Sequence, residues 1–158
     1  MKNLFLLRHA KAVSSSSGWR DFDRSLSAQG REQAEHVGKY LKQQNIGFDL
    51  VLSSTALRAR ETTELVLTAA GSMSEVRYDQ RIYEASAQQL LELISGLEDE
   101  KKEVLFVGHN PGLEELLKRL TGRSETMGTS TLAKIAVGGS EWIEAATENR
   151  DLNWLCKP

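Results

Sequence analysis

Four consecutive apolar residues, Leu4 to Leu7, run straight into Arg8-His9-Ala10. An apolar run without alternation has no wet face, so it reads as a short strand buried on both sides, the pattern of a parallel-sheet centre. Such a strand needs helices over each face, which points to an α/β architecture. The run stops at a cation and an imidazole, where the strand would leave its sheet. Ligands of open α/β sheets bind at the carboxyl ends of the strands. His9 at such an end can act as base, metal ligand or nucleophile.

The same arrangement recurs along the chain. Asp49 to Ser54 is apolar until its polar end, with Leu50–Ser53 as the strand, and runs into a helix with Arg58 and Arg60 in its first turn. Cations are disfavoured at a helix N-terminus. We therefore read Arg58 as facing an anion and Arg60 as a solvated surface residue. Val104 to Val107 is another fully apolar strand, ending Gly108-His109-Asn110-Pro111-Gly112. Asn110 suits a helix cap and Pro111 a first helical position, so His109 is held between a strand end and a helix N-terminus that disfavours imidazolium.

Helices are expected over 27–45, 55–70, 86–97 and 110–121, each from its apolar spacing and start signals, including a capping box at Ser86–Gln89. Residues 75–78 suit a short strand, and 131–137 with 151–156 a final pair. The serine run Ser14–Ser17 reads as a mobile loop at the mouth of the site, and His36 as a surface histidine. The polar stretch Gly138–Asn149 is broken only by Trp142 to Ala146. The expected fold is a single three-layer α/β/α domain over residues 1–158 with a mainly parallel central sheet.

A net charge of −2 argues against general nucleic-acid or membrane binding while permitting a local cationic pocket. The apolar run before Arg8 is too short for a signal peptide core, and no run reaches membrane-spanning length. The lone Cys156 rules out an intramolecular disulfide and fits a reducing compartment, so a cytoplasmic location is expected. One cysteine and three scattered histidines make a zinc site unexpected. No glycine-rich phosphate loop or dinucleotide fingerprint occurs, and no cofactor is expected.

A parallel sheet would place Arg8, His9, Arg58 and His109 at one edge. Two imidazoles and two guanidinium groups suit phosphoryl transfer, with a ring nitrogen attacking phosphorus while fixed cations neutralise the equatorial oxygens. Leu-Arg-His-Ala at 7–10, Ser-Ser-Thr-Ala-Leu-Arg-Ala at 53–59 and Gly-His-Asn-Pro at 108–111 resemble the histidine phosphatase superfamily, the phosphoglycerate-mutase-like proteins. The stretch Asp21 to Ser27, followed by Gly30, is most similar to the small SixA-type phosphohistidine phosphatases. That resemblance implies His9 as a nucleophile carried through a phosphohistidine intermediate, with Arg8, Arg58 and His109 holding the phosphoryl group. It matches Glu84 to the superfamily's acid position, against its reading as an ordinary loop glutamate. Arg24 is either a further phosphate or substrate contact or a structural partner of Asp21, and Asn110 would bring a helix N-terminus to the pocket. Two departures stand out: Ala10 replaces a usual glycine beside the nucleophile, and Ser25 a usual proline.

Larger relatives insert a helical lid after the second helix, but here Thr55 to Glu103 is filled by two helices and a short strand. An open pocket of this kind would admit a phosphorylated side chain on another protein and hold small sugar phosphates less well. Mutase activity is disfavoured for the same reason, because a mutase must keep its intermediate from water. The resemblance therefore implies a metal-independent phosphatase acting on a phosphohistidine-bearing protein. The alternatives are a general small-molecule phosphomonoesterase and a module that binds phosphoproteins without turnover.

Overall fold

The computed structural model describes residues 1–146 and 150–158. Six strands form among them: β1 (Lys2–Arg8), β2 (Leu50–Ser53), β3 (Glu75–Tyr78), β4 (Glu103–Gly108), β5 (Leu132–Val137) and β6 (Asp151–Cys156). They make one sheet in the order β3-β2-β4-β1-β5-β6. The four strands from β3 to β1 are parallel, and β5 and β6 join antiparallel beyond β1. The apolar runs read as doubly buried strands are thus inner strands of a mostly parallel sheet.

Alternation along β1 divides the core. Leu4 and Leu6 join Leu50, Leu52, Val104 and Phe106 against α3 (Ala87–Ser95) and α4 (Gly112–Thr121). Phe5 and Leu7 join Val51, Leu105 and Val107 against α1 (Ala28–Gln43) and α2 (Leu57–Ala70). All four residues of the Leu4–Leu7 run are 0–1% exposed, so each contributes roughly 1.5–3 kcal/mol of transfer free energy. The sheet is therefore a middle layer between two helical layers. No helix among the described residues is long and apolar enough to cross a membrane.

Register sets the site. Arg8 pairs with Gly108 across β1 and β4, and Ser53 pairs with Val107 across β2 and β4. Three strands thus end level, and the next residues, His9, Ser54 and His109, emerge together.

The helices begin one or two residues later than the sequence suggests and two of them, α1 and α3, also end two residues earlier, because the capping residues lie outside the regular turns. Ser27 and Ser86 accept N–H bonds from Gly30 and Gln89, and the capping box at Ser86 forms in full. The start of α4 differs in kind. Asn110 does not cap it; Pro111 occupies the cap position and the helix starts at Gly112. The Asn110 amide instead donates to Glu114 Oε1 at 2.9 Å and to the Met127 carbonyl at 2.7 Å. These two acceptors draw the side chain away from the first helical N–H groups.

The serine run forms a short 3-10 turn at Ser15–Ser17, and His36 is exposed as expected. Trp142, inside the stretch read as polar, is fully buried and donates from its indole to the Lys101 carbonyl at 2.7 Å. Residues 147–149 of that stretch lie outside the described residues.

Candidate active site

A cavity of about 770 Å³ opens at the carboxyl edge of the parallel strands. Arg8, His9, Arg58 and His109 all line it, together with Arg24, Glu84 and Asn110. Every residue singled out from the sequence therefore borders one pocket. No helical lid interrupts the chain there: four residues separate α2 from β3, and one 3-10 turn, Gln80–Ile82, lies between β3 and α3. The serines Ser14–Ser17 do not line the cavity, whose wall on that side is Lys11, Ala12, Asp21 and Arg24.

His9 follows β1 directly, and its backbone N–H donates to the Gly108 carbonyl at 3.1 Å. Its Nδ1 lies 2.7 Å from the Ala10 carbonyl. A carbonyl can only accept, so Nδ1 carries the proton and Nε2 keeps a free lone pair. Burial pushes the ring down to about 4, and Arg58 and Arg8 push the same way against the Ala10 bond. The ring is neutral at pH 7 and its bare nitrogen can attack an electrophile.

Ala10, in the place of a usual glycine, is fully buried and is not among the positive-φ residues, so its backbone does not need glycine's freedom. Its N–H donates to Thr62 Oγ1 at 3.0 Å, and that hydroxyl donates to the Arg58 carbonyl at 2.7 Å. Thr62 thereby joins the loop of His9 to the first turn of α2. A glycine holds the next part of the loop: a Cβ at Gly30 would collide with the Lys11 carbonyl, so only glycine lets α1 approach this closely.

Arg58 is 6% exposed, unlike Arg60, which is exposed and lies over the Tyr78 ring. Its Nη1 donates to the Asp21 carbonyl oxygen at 2.7 Å and its Nη2 to Asp21 Oδ2 at 3.1 Å. Asp21 is a hub. Tyr83 Oη donates to Oδ2 at 2.6 Å, and Arg24 donates to Oδ1 from Nη2 at 2.8 Å and from Nε at 3.2 Å. The Tyr83 bond, followed by the two arginines, holds the Asp21 carboxyl far below the usual range, and burial and the same carboxylate push Tyr83 up to about 12. Arg24 Nη1 donates to the Val13 carbonyl at 2.8 Å, so this guanidinium is committed to its structural partners. Asp21 and Tyr83 are site residues that sequence reasoning did not assign. Their only signal was position, one in the acidic stretch before Arg24 and the other beside Glu84.

His109 sits 5.1 Å from His9 between ring centroids and 5.6 Å from Tyr83. Burial first, then His9 and Arg58, push it down to about 3. Its Nε2 lies 2.8 Å from Ser54 Oγ, while Nδ1 has no partner among the described residues. Arg8 Nε and Arg58 Nε are likewise buried without a partner. Three orphaned nitrogens on pocket-lining residues, two of them on guanidinium groups, match the donors an oxyanion requires. Glu84 is exposed at the pocket lip with φ 55° and has no hydrogen bond or ion pair among the described residues. A glutamate in the left-handed region is uncommon and concentrates at functional sites. Among the described residues no three His, Cys, Asp or Glu side chains gather so as to hold a metal ion.

Residues 4–93 match the histidine phosphatase superfamily, branch 1. An uncharacterized protein of Mycobacterium leprae is 32% identical over 160 residues, covering 92% of this chain and 96% of that one. Two solved structures cover 99% of this chain, and both proteins are assigned as the phosphohistidine phosphatase SixA. The one from Nakamurella multipartitia superposes with a TM-score of 0.86 at 26% identity over 96% of its length. The one from Agrobacterium tumefaciens gives 0.85 at 31% over 98% of its length.

Proposed function

The chain belongs to the histidine phosphatase superfamily, branch 1, and we propose that it removes phosphoryl groups from protein phosphohistidine through an intermediate on His9. The observation that carries this reading is the His9 tautomer: the Ala10 carbonyl takes Nδ1–H and leaves Nε2 with its lone pair in a neutral ring. In the first step a bond forms from Nε2 to phosphorus as the phosphorus–nitrogen bond of the substrate breaks. Arg8, Arg58 and His109 hold the three phosphoryl oxygens and stabilise their charge. Water then attacks phosphorus, releasing orthophosphate and restoring His9. No metal takes part: the charge on the oxygens is met by guanidinium groups instead.

Two features favour phosphohistidine on a protein over a sugar phosphate. Among the described residues no lid covers the pocket, so a side chain carried on a large partner can reach it. Imidazole is also a good leaving group, which makes a strongly placed acid unnecessary. Glu84 supports the second reading, a phosphomonoesterase, because an alkoxide leaving group needs a proton donor and this carboxyl stands at the lip. The lone Cys156 fits work in a reducing compartment, the cytoplasm.

A panel of phosphohistidine peptides, phosphoserine peptides and small phosphate esters tests the proposal. A higher kcat/KM on phosphohistidine peptides is expected. Selective turnover of one small ester would transfer the assignment to the second reading.

A further inference from the structure

We propose that Ser54 is a positioning residue that holds His109 in its Nδ1–H tautomer, so that the neutral ring offers an N–H to the phosphoryl group. The identity of that acceptor rests on the phosphatase reading above; the tautomer does not.

Ser54 follows β2 and is fully buried. Its Oγ accepts the backbone N–H of Ala56, at the entrance to α2, at 3.2 Å, and lies 2.8 Å from His109 Nε2. The Ala56 N–H can only donate, so it uses a lone pair of the hydroxyl oxygen. The Ser54 hydroxyl hydrogen then needs an acceptor of its own. Among the described residues the acceptor within reach is His109 Nε2.

Two arrangements are possible for a neutral ring. If Nε2 carries the proton and donates to Ser54, the hydroxyl hydrogen is left without an acceptor and the Nδ1 lone pair without a donor. If the hydroxyl donates to Nε2, the proton sits on Nδ1 and the hydroxyl is satisfied. One group alone, Nδ1–H, then lacks a partner, and Nδ1 is the ring nitrogen without a hydrogen bond among the described residues. Burying an unmade hydrogen bond is unfavourable, so the second arrangement wins. It also leaves unpaired a donor, which an anion satisfies, in place of an acceptor, which would repel one.

His9 and His109 then use one tautomer for opposite ends. Ala10 occupies Nδ1–H of His9 and leaves a bare nitrogen for attack. Ser54 occupies the bare nitrogen of His109 and leaves an N–H for an oxygen. A neutral donor of this kind needs no protonation and keeps its strength across physiological pH.

The test is a long-range 1H–15N correlation spectrum of the full-length protein labelled in its histidines, recorded at pH 7. The resting wild type should show His109 with a protonated Nδ1 and a bare Nε2, and vanadate should shift that Nδ1–H resonance. In Ser54→Ala the Nε2–H form should appear. Its kcat/KM should fall by roughly tenfold or more, short of the 10²–10³-fold cost of losing an oxyanion donor. Ser54→Thr, which keeps the hydroxyl, should restore both the spectrum and the rate. A wild-type His109 with its proton on Nε2 would overturn the proposal, and so would a Ser54→Ala protein with an unchanged tautomer and unchanged kcat/KM. Should Ser54→Ala fail to fold, the wild-type spectrum decides. Resting spectra need no turnover, so a protein inactive on every phosphate would reject the functional reading and leave the tautomer standing.

Discussion

Asp21 grips Arg58 twice, with its backbone carbonyl oxygen on Nη1 at 2.7 Å and its carboxylate on Nη2 at 3.1 Å. The same carboxylate is fixed by Tyr83 and Arg24, so the loop after β1 holds the guanidinium from the pocket wall. Arg58 keeps its Nε without a partner.

Asp21→Asn removes the charge that orients both arginines. One hydrogen bond to a charged group is worth about 1.5–3 kcal/mol, so kcat/KM should fall roughly tenfold or more and vanadate should bind more weakly. Tyr83→Phe should reproduce part of the loss. Steady-state kinetics with vanadate inhibition measures both. Tighter vanadate binding in Asp21→Asn would mean that the carboxylate competes with the phosphoryl group instead of positioning its ligand.

Thr62→Val keeps the shape of the side chain and removes both bonds of the link from Ala10 to Arg58. It leaves the buried Ala10 N–H unsatisfied, at a cost of about 1–3 kcal/mol. Urea unfolding should show that loss, and kcat should fall with KM little changed, because the His9 loop is loosened where the chemistry occurs. An unchanged unfolding midpoint would contradict the link.

His9, which is buried, and His109, which is half-buried, make the fold sensitive to acid. In the unfolded chain histidine takes up a proton near pH 6.5, but the folded His9 does so only at about 4 and His109 at about 3. Between these limits the unfolded state binds more protons, so stability falls as pH drops below 6.5 and gains nothing from these groups above it. At about 1.4 kcal/mol per pKa unit, the full loss is roughly 3–4 kcal/mol for His9 and about 5 kcal/mol for His109. Denaturant unfolding at pH 7 and pH 4.5 checks the slope. Proton NMR should find no midpoint near 6.5 for either ring.

Much of this site was legible in the chain because its ligands follow apolar strands. Arg8-His9 and His109 stand where unbroken apolar runs stop, and parallel register then brings those ends level. Arg58 was visible as a cation where a helix start does not favour one. Other contacts are not encoded by any local pattern. Asp21 meets Tyr83 across 62 positions, and Ser54 meets His109 across 55, so neither pairing exists until the sheet has formed. Asn110 shows the limit of a local signal: its capping atom is Oδ1, but the Met127 carbonyl and Glu114 accept from its Nδ2 and hold the side chain where Oδ1 finds no partner among the described residues.

Glu84 separates the two substrate classes. Imidazole leaves readily, especially when protonated, whereas an alkoxide needs a proton as its bond breaks. Glu84→Gln should therefore keep phosphohistidine turnover within about tenfold of wild type and lose much of any phosphoester activity, where a general acid contributes about 10²–10⁴-fold. Parallel assays on both substrates give the comparison. A thousandfold loss on phosphohistidine would make Glu84 a required acid and move the substrate towards esters.

Trapping the intermediate tests the central claim most directly. The protein is mixed with a radiolabelled phosphodonor, quenched in alkali to preserve phosphoramidate bonds, digested and mapped. The account predicts acid-labile label on the peptide carrying His9, unaffected by chelators, absent from His9→Ala and weakened by orders of magnitude in Arg58→Ala and His109→Ala. Turnover that persists in His9→Ala, or a wild type that turns over substrate with its label on another residue, would contradict it.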